Sequence, residues 1–512
     1  MVTYLGILIF LLCSGVLIAV FKFFHKYWWV PMRVKHVMSS QGIYGPPYSF
    51  IQGNKKQISS MRKDSMRLPM EISQYILPRI QPHIHSWLRI YGKNFLYWLG
   101  PIATFVVTEP QLLKEILSDR DILMAKQDVG SIFQKIFGEG LTSSKGDKWA
   151  KQRKVANHAF HGERLKNMVP SMIESVDIML KRWKVSGTKE MEVYEEFRIL
   201  TSEVISRTAF GSSYEDGKHV FQNLEALNSL AAKNLYKIRI PGFGKIFKDK
   251  ADVASDKLHS EIQDLIMQMI RSREKMMISG DEEKSRTDYL GLLLKAHHDI
   301  DECYRLSIQD VIDDCKTFYA VGHVTISLLL SWVTLLLGIH TEWQEKAREE
   351  VLEVFGKQNP SSEGIARLKT LGMIINETLR LYPPGIAITR KVLRETKVGK
   401  VVLPANIKLQ IPTLALQHDP EIWGEDAHLF KPDRFSEGIA KATNNNPGAF
   451  LPFGYGPRNC VGSSFAINEA KIALSMILQR YRFTPSPSYV HAPVQIVTLR
   501  PKYGVLMMFQ AL

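Results

Sequence analysis

Apolar residues recur at helical spacing along most of the chain. Six stretches show this pattern with few helix breakers, and we predict helices at 163–184, 251–278, 306–338, 341–356, 364–381 and 461–480. Short runs rich in β-branched and aromatic residues predict strands at 95–99, 104–108, 399–402, 408–412 and near the C-terminus. The second half of 306–338 is apolar on nearly every side, as in helices at the centre of a large core. The pattern therefore indicates a mainly α protein with small β-sheets.

The apolar run Tyr4–Phe21 contains no charged residue. As a helix it would span about 27 Å, close to the thickness of a bilayer core. No Lys or Arg precedes it, unlike in a cleaved signal peptide, whereas Lys22 and Lys26 follow it. Trp28 and Trp29 suit the aromatic belt of a membrane interface. We therefore predict an uncleaved N-terminal transmembrane helix, with the rest of the chain in the cytosol.

Three segments follow from this division of the chain. We predict a transmembrane signal anchor at 1–24, a basic and proline-containing linker at 25–50, and a catalytic domain at 51–512. The third segment contains no long Gly/Ser-rich stretch and no internal repeat that would divide it.

Charge and cysteine content narrow the class of protein. The net charge is +15, but Lys and Arg are interspersed with Asp and Glu and form no long basic run. This pattern favours a surface that binds an acidic protein partner or a membrane over one that binds nucleic acid. The four cysteines show neither disulfide-like spacing nor a CxxC metal motif, which suits a reducing compartment. They are Cys13, Cys303, Cys315 and Cys460.

The most specific pattern is F-x-x-G-x-R-x-C-x-G, formed by Phe453, Gly456, Arg458, Cys460 and Gly462. An iron-ligating cysteine must be a thiolate, and the helix that starts after Cys460 directs its N-terminal dipole at the sulfur. The two glycines allow a flat ring to approach the backbone, Arg458 can pair with a propionate, and Phe453 can shield the sulfur from water. Together these residue types indicate a haem site.

This loop resembles the haem loop of the cytochrome P-450 family, and the resemblance extends from the membrane anchor to the C-terminal strands. It implies the cytochrome P-450 fold, with haem b (iron protoporphyrin IX) between the long central helix and the helix of the cysteine loop. It also implies that Cys460 is the proximal ligand of the iron.

Two further patterns match the family. Glu377 and Arg380 fit its E-x-x-R motif, and Arg434 in a P-D-R-F segment would complete a structural Glu–Arg–Arg network. The same spacing recurs at Glu302/Arg305 and Glu345/Arg348, but neither pair precedes a proline pair. Trp149 and Arg153 fit a W-x-x-x-R clamp for a haem propionate. Arg390 matches a further propionate-binding arginine.

The oxygen-activation motif of the central helix matches the family only in part. Gly322 would leave room for dioxygen, and Thr325 would hold the water that carries protons. However, Val324 stands where the family has Asp or Glu. His323 is a candidate substitute proton carrier. Two helical steps place it about 200° around the helix from Thr325, which favours a side chain aimed away from the iron.

Three functions are compatible with these residues. The first is a monooxygenase that receives electrons from an NADPH-dependent flavoprotein reductase, with cytochrome b5 as an optional second donor. The second is a haem-thiolate isomerase or dehydratase that needs no dioxygen, which the missing acid at Val324 favours. The third is a non-catalytic haem or membrane scaffold. The intact cysteine loop and Thr325 favour the first.

Within the family, three segments are similar in sequence to plant microsomal members, namely 138–149, 377–384 and the Gln-His-Asp segment 417–419. They resemble the clan of secologanin synthase and of gibberellin, brassinosteroid and triterpenoid hydroxylases. This implies a hydrophobic, terpenoid-like substrate and the endoplasmic reticulum membrane, with a single pass and a cytosolic catalytic domain. The segments that would select the substrate are 121–140, 225–250 and 385–388.

Overall fold

The computed structural model describes most of the chain. It covers residues 2–67, 70–72, 74–118, 131–187, 189–234, 250–278 and 288–512. These residues form two compact units. The first contains the described residues of 1–67, 77–127 and 387–415, and the second contains those of 68–76, 128–386 and 416–512.

The first unit combines short helices with two small sheets. Its helices are α1 (Val2–Phe24), α2 (Val30–Ser39), α3 (Lys55–Ser65), α4 (Leu77–Ile80), α5 (Pro82–Tyr91) and α6 (Pro110–Ser118). Its strands are β1 (Asn94–Leu99), β2 (Ile102–Val107), β4 (Ile388–Lys391), β5 (Thr396–Val398), β6 (Val401–Leu403) and β7 (Lys408–Ile411). The helix α19 (Thr413–Gln417) contains the boundary with the second unit.

The larger sheet of this unit has the strand order β1-β2-β7-β4. β1 and β2 form a tight antiparallel hairpin, β2 pairs with β7 in parallel, and β4 pairs with β7 in antiparallel orientation. β5 and β6 form a separate two-stranded sheet. The strand prediction at 399–402 was therefore partly wrong, because residues 399 and 400 form the turn between β5 and β6.

The N-terminal helical segment, Tyr4–Ser39, is long and apolar enough to cross a membrane. It includes a π-helical turn at His25–Trp29 between α1 and α2. None of the 18 most apolar consecutive residues of this segment is buried. In Ile308–Ile339, the other described helical segment of sufficient length, 83% of the corresponding 18 residues are buried. The first segment is therefore the candidate transmembrane helix, and the second is a core helix.

The second unit holds the remaining helices. In chain order, the first eight are α7 (Ser131–Phe137), α8 (Gly146–Ala159), α9 (Gly162–Ser186), α10 (Val193–Phe210), α11 (Tyr214–Asn234), α12 (Lys250–Ile278), α13 (Tyr289–His297) and α14 (Ile308–Gly322). Those that follow are α15 (Val324–Ile339), α16 (Thr341–Phe355), α17 (Ser362–Arg367), α18 (Lys369–Leu381), α20 (Pro420–Trp423), α21 (Ile439–Ala442) and α22 (Ser463–Leu478).

Two small sheets complete this unit. β3 (Glu190–Glu192), β11 (Leu506–Ala511) and β8 (Tyr481–Pro485) form one antiparallel sheet, with β11 in the middle. β9 (Pro493–Gln495) and β10 (Leu499–Pro501) form the other. The predicted fold class, mainly α with small sheets, is confirmed.

The predicted helix at 306–338 is two helices, α14 and α15, that meet at His323. Side chains explain the interruption. The His323 ring nitrogen Nδ1 lies 2.6 Å from the carbonyl of Tyr319, and the Thr325 hydroxyl donates to the carbonyl of Val321 at 3.0 Å. From α10, the Thr201 hydroxyl donates to the carbonyl of His323 at 3.0 Å. Such side-chain bonds compete with the helical backbone ladder and bend a helix.

Candidate haem site

The cysteine loop is a tight turn that ends where α22 begins. The backbone N–H of Cys460 donates to the carbonyl of Phe453 at 2.8 Å and closes the loop. Gly454 and Gly456 have φ angles of 72° and 74°, which L side chains rarely adopt. Glycine is therefore needed at these two positions to form the turn, and Gly456 is the one that belongs to the predicted pattern.

The surroundings of the Cys460 sulfur have two opposing effects on its charge. Burial raises the pKa of the thiol, while the N–H of Gly462 and the Arg153 guanidinium lower it. The side chain nevertheless remains exposed. Coordination to a metal cation is what would make such a thiol ionise fully.

Helix α8 places two predicted residues beside this loop. Arg153 donates to the backbone carbonyl of Asn459 at 2.5 Å and to its side-chain oxygen at 2.7 Å. The Arg458 guanidinium lies over the Trp149 ring, 4.1 Å from its centroid, and donates to the carbonyl of Ser144 at 2.9 Å. Trp149, Arg153 and Arg458 are therefore brought together next to Cys460.

The Glu–Arg–Arg network is present as well. Arg380 donates to the two Glu377 carboxylate oxygens at 2.7 and 2.8 Å, and neither side chain is exposed to solvent. Arg434 approaches the same carboxylate at 3.4 Å. The backbone N–H of Lys431 donates to Glu377 at 2.9 Å. The carboxylate is thus surrounded by donors, as a buried charge requires.

Two further members of this network were not predicted. Gln417 donates to the carbonyls of Leu379 and Arg380, and it accepts the N–H of Leu451, where the cysteine loop begins. Asp426 accepts from Arg434, and this contact and one with Lys431 lower the pKa of Asp426 to about 2. Gln417 could have been suspected only from its position in the Gln-His-Asp segment after β7.

The other E-x-x-R matches differ from each other. Glu302 and Arg305 are both exposed and 3.7 Å apart. Arg348, in contrast, is buried and donates to the carbonyls of Leu478 and Tyr481. The Glu345/Arg348 pair is therefore not a simple surface pair: Glu345 is partly exposed, whereas helix α16 directs Arg348 towards α22 and β8.

Arg390 is the one predicted haem-contacting residue in the first unit. It lies on β4, where its Nη1 donates to the carbonyl of Thr389 at 2.9 Å. Burial lowers the pKa of its guanidinium. Its role in propionate binding remains a prediction.

The central helix has one accessible side. Among residues 311–338, all described, only Val321, Gly322 and Thr325 are partly accessible. These three positions share a helix face. Within α14 and α15, this face is therefore the one that can contact a bound molecule.

The neighbouring residues point elsewhere. Val324 is 5% exposed and His323 is 3% exposed. The His323 ring packs against Phe221, and burial lowers its pKa to about 3. A neutral, enclosed imidazole favours the interpretation in which His323 points away from the iron.

Gly322 has a packing role that the sequence did not suggest. A Cβ at this position would come within 2.9 Å of the Ile205 side chain on α10. The absence of a side chain at Gly322 therefore allows α14 to pack closely against α10.

The residues fit a haem group on two observations. A Cβ on Gly462 would have no neighbouring atom within 4 Å, so a flat ring could approach the backbone there. The sulfur of Cys460 is accessible, with the cationic and aromatic side chains of α8 and the loop at one side. A thiolate donor beside arginines that can bind propionates is the donor set of a haem-thiolate protein.

Comparison with known proteins agrees with this class. The family model described as Cytochrome P450 matches residues 70–507. Cytochrome P450 CYP749A22 of Panax ginseng is 55% identical over 503 residues, which cover 98% of this chain and 96% of that protein. Secologanin synthase 1 of Catharanthus roseus is 39% identical over 95% of this chain and 94% of its own. Echinocystic acid 23-monooxygenase of Saponaria officinalis is 38% identical, with 94% of each chain covered.

The chain therefore belongs to the cytochrome P450 family. It is an oxidoreductase of the monooxygenase type, and the family implies a haem cofactor.

Proposed function

We propose that this enzyme inserts one oxygen atom of dioxygen into a hydrophobic, terpenoid-like small molecule, with electrons from an NADPH-dependent flavoprotein reductase. One observation carries the proposal. The accessible face of the central helix is formed by Val321, Gly322 and Thr325, and it belongs to the same unit as the exposed sulfur of Cys460. Val321 provides an apolar surface, Thr325 provides a hydroxyl group, and Cys460 provides a metal ligand.

The substrate class rests on the relatives. One is named for a monooxygenation of echinocystic acid and another for the synthesis of secologanin. Of the segments predicted to select the substrate, 385–388 is described, whereas parts of 121–140 and 225–250 lie outside the described residues. A terpenoid-like substrate is accordingly supported by similarity and by the apolar Val321.

Several residues would hold the haem. Cys460 would ligate the iron, with Phe453 and Gly462 beside the sulfur. Trp149, Arg153 and Arg458 would bind the propionates, and Arg390 would be a further propionate ligand. When bound, the haem supplies the redox-active iron at which dioxygen is reduced.

Proton supply depends on Thr325. Its hydroxyl hydrogen is directed at the carbonyl of Val321, so its oxygen is left to accept a hydrogen bond from water. Val324 offers no acid, and the low pKa of His323 keeps that imidazole neutral at physiological pH. We therefore assign proton delivery to ordered water held at Thr325 Oγ.

The N-terminal helix would anchor the enzyme in the endoplasmic reticulum membrane with the catalytic part in the cytosol. The exposed apolar segment Tyr4–Ser39 supports anchoring, and the Lys and Arg residues after the apolar run support the orientation. There the enzyme would meet the reductase, which is membrane-bound in microsomal relatives, and optionally cytochrome b5.

The test is reconstitution of the full chain with haem, reductase and NADPH, against a panel of diterpenoids, triterpenoids and steroids. A substrate should shift the Soret spectrum and yield a product that contains one oxygen atom from labelled dioxygen. A product without the label, formed without NADPH, would establish the isomerase or dehydratase instead. That second function is favoured by one observation, the buried Val324 at the position of the acid.

A further inference from the structure

A buried carboxylate that the proposed chemistry does not use lies in the first half of the central helix. Asp314 on α14 is fully buried. One of its oxygens accepts the N–H of Leu141 at 2.6 Å. Within the described part of the chain, the other oxygen interacts with the equally buried Tyr289 hydroxyl, but the two do not reach full hydrogen-bond geometry. A buried group of this kind needs an explanation, because leaving it half-satisfied is costly.

Leu141 belongs to a short turn, residues 138–144, between α7 and α8. The backbone N–H groups of Ser143 and Ser144 both donate to the carbonyl of Gly140 at 2.9 Å, which makes the turn compact. A Cβ on Gly140 would overlap the Thr317 hydroxyl, so the turn lies directly against α14. Any shift of this turn would therefore be resisted at α14.

The same turn contacts the cysteine loop. The carbonyl of Ser144 accepts a hydrogen bond from Arg458, whose guanidinium also lies over the Trp149 ring. A continuous set of contacts thus joins the carboxylate on the central helix to the arginine beside Cys460.

We infer that Asp314 is a positioning residue. By holding the N–H of Leu141 it fixes the 138–144 turn, and through Ser144 the turn fixes the guanidinium of Arg458. The inference rests on the proposed function in one respect, since it takes Arg458 as a haem-propionate ligand.

The charge of Asp314 changes near neutral pH. Its pKa is raised to about 7, chiefly by burial and also by the nearby Asp310 and Asp313, against the lowering effect of the Leu141 N–H and Lys148. Two other titratable neighbours, Tyr289 on α13 and Cys315 on α14, are themselves held neutral by burial, which raises their pKa values.

The direction of the pH effect follows from this. As the pH rises through about 7 the carboxylate forms, and a charged acceptor holds the Leu141 N–H more strongly than a neutral one. Arg458 should then be held more firmly, and haem should be released more slowly.

The experiment measures haem transfer from the full-length holoenzyme to excess apomyoglobin between pH 6 and 8. In the unmodified enzyme the transfer rate should fall by about threefold to tenfold across this range, as expected for strengthening one hydrogen bond. Asp314→Asn should remove this change. Asp313→Asn, one position away on the same helix, should retain this change but with its midpoint at lower pH, because Asp313 raises the pKa of Asp314.

A double-mutant cycle tests the route. Arg458→Lys alone should remove most of the pH dependence, and adding Asp314→Asn to it should then change the rate much less than Asp314→Asn does in the unmodified enzyme. If Asp314→Asn does not fold, Tyr289→Phe gives an independent measurement. This change removes the polar neighbour of the second carboxylate oxygen, so the midpoint should move to higher pH.

The outcomes distinguish a failure of the proposed function from a failure of the inference about Asp314. An unmodified chain that binds no haem would overturn the proposed function. A haem-binding chain whose pH dependence survives in Asp314→Asn would overturn this inference alone, and so would an unmoved midpoint in Tyr289→Phe.

Discussion

Glu377 and Arg380 meet in the interior of the protein through two parallel hydrogen bonds, and neither side chain reaches solvent. The remaining donors of Arg380 go to the carbonyls of Gln417, Ala427 and Leu429 at 2.8, 2.6 and 3.2 Å. A buried ion pair adds little net stability compared with apolar residues, because both charges lose their hydration. Removing one partner, however, leaves the other charge buried and unpaired. The pair therefore fixes how α18 meets the segment that follows α19.

We expect Arg380→Ala to lower the free energy of unfolding by about 3–5 kcal/mol and to yield little holoprotein. Glu377→Ala should behave similarly, because Arg380 and Arg434 would lose their shared carboxylate. Urea unfolding and the haem absorbance per polypeptide measure the two effects.

The matched control is Arg305→Ala, in an exposed pair with the same spacing, whose effect should stay within about 1 kcal/mol. Arg348→Ala is not a suitable control, because Arg348 is buried and caps carbonyls of α22 and β8. If Arg305→Ala and Arg380→Ala were equally damaging, the network would not have the structural role assigned to it.

Replacement of Cys460 by Ser should remove the thiolate ligand while keeping the size of the side chain. The reduced carbon monoxide complex should then lose its long-wavelength Soret band. Cys303→Ser is the comparison, since Cys303 is also exposed but lies on a surface turn before α14, and this variant should keep the band. An unchanged spectrum in Cys460→Ser would refute the assignment of the iron ligand.

The sequence predicted those parts of the site that depend on local pattern. The cysteine loop could be recognised because its turn requires glycine at positive φ, and both that turn and the start of α22 are local features. The Trp149/Arg153 pair could be recognised for the same reason, since two positions four apart share one helix face.

Long-range contacts could not be predicted in this way. Gln417 bonds to backbone groups of α18 and of the cysteine loop, and nothing near it in sequence indicates those partners. The break at His323 depends on Thr201 of α10, more than a hundred residues away. The burial of Arg348 likewise depends on carbonyls of α22 and β8.

Deletion of residues 1–24 should release most of the protein from membranes without preventing haem binding. The apolar side chains of this segment are exposed, and the predicted haem ligands lie far beyond it in sequence. Sedimentation with lipid vesicles and the carbon monoxide spectrum of the truncated chain measure these two properties. A truncated chain that never incorporates haem would show that the segment belongs to the fold of the catalytic part.

Val324 allows a direct test of whether the position of the missing acid is buried. Because this position is buried, a carboxyl group introduced there by Val324→Glu should have a raised pKa and stay protonated at neutral pH. A group whose pKa is raised by folding loses its stabilising contribution as the pH rises through the folded value. Val324→Glu should therefore be less stable at pH 8 than at pH 6, relative to Val324→Gln. Thermal unfolding at the two pH values measures this difference.

Thr325 provides the complementary test, because it carries the one hydroxyl on the accessible face of the central helix. Thr325→Ala should lower the ratio of product formed to NADPH consumed by about tenfold, less than the roughly 10²–10⁴-fold that a positioned acid or base typically contributes to a rate. The lost reducing power should appear as hydrogen peroxide. Thr325→Ser restores the hydroxyl and should recover most of the coupling, which separates the loss of the water-binding oxygen from a change in packing. If Thr325→Ala kept full coupling, water held at this residue would not be the proton source. If its turnover also needed no NADPH, the isomerase or dehydratase would replace the monooxygenase as the function.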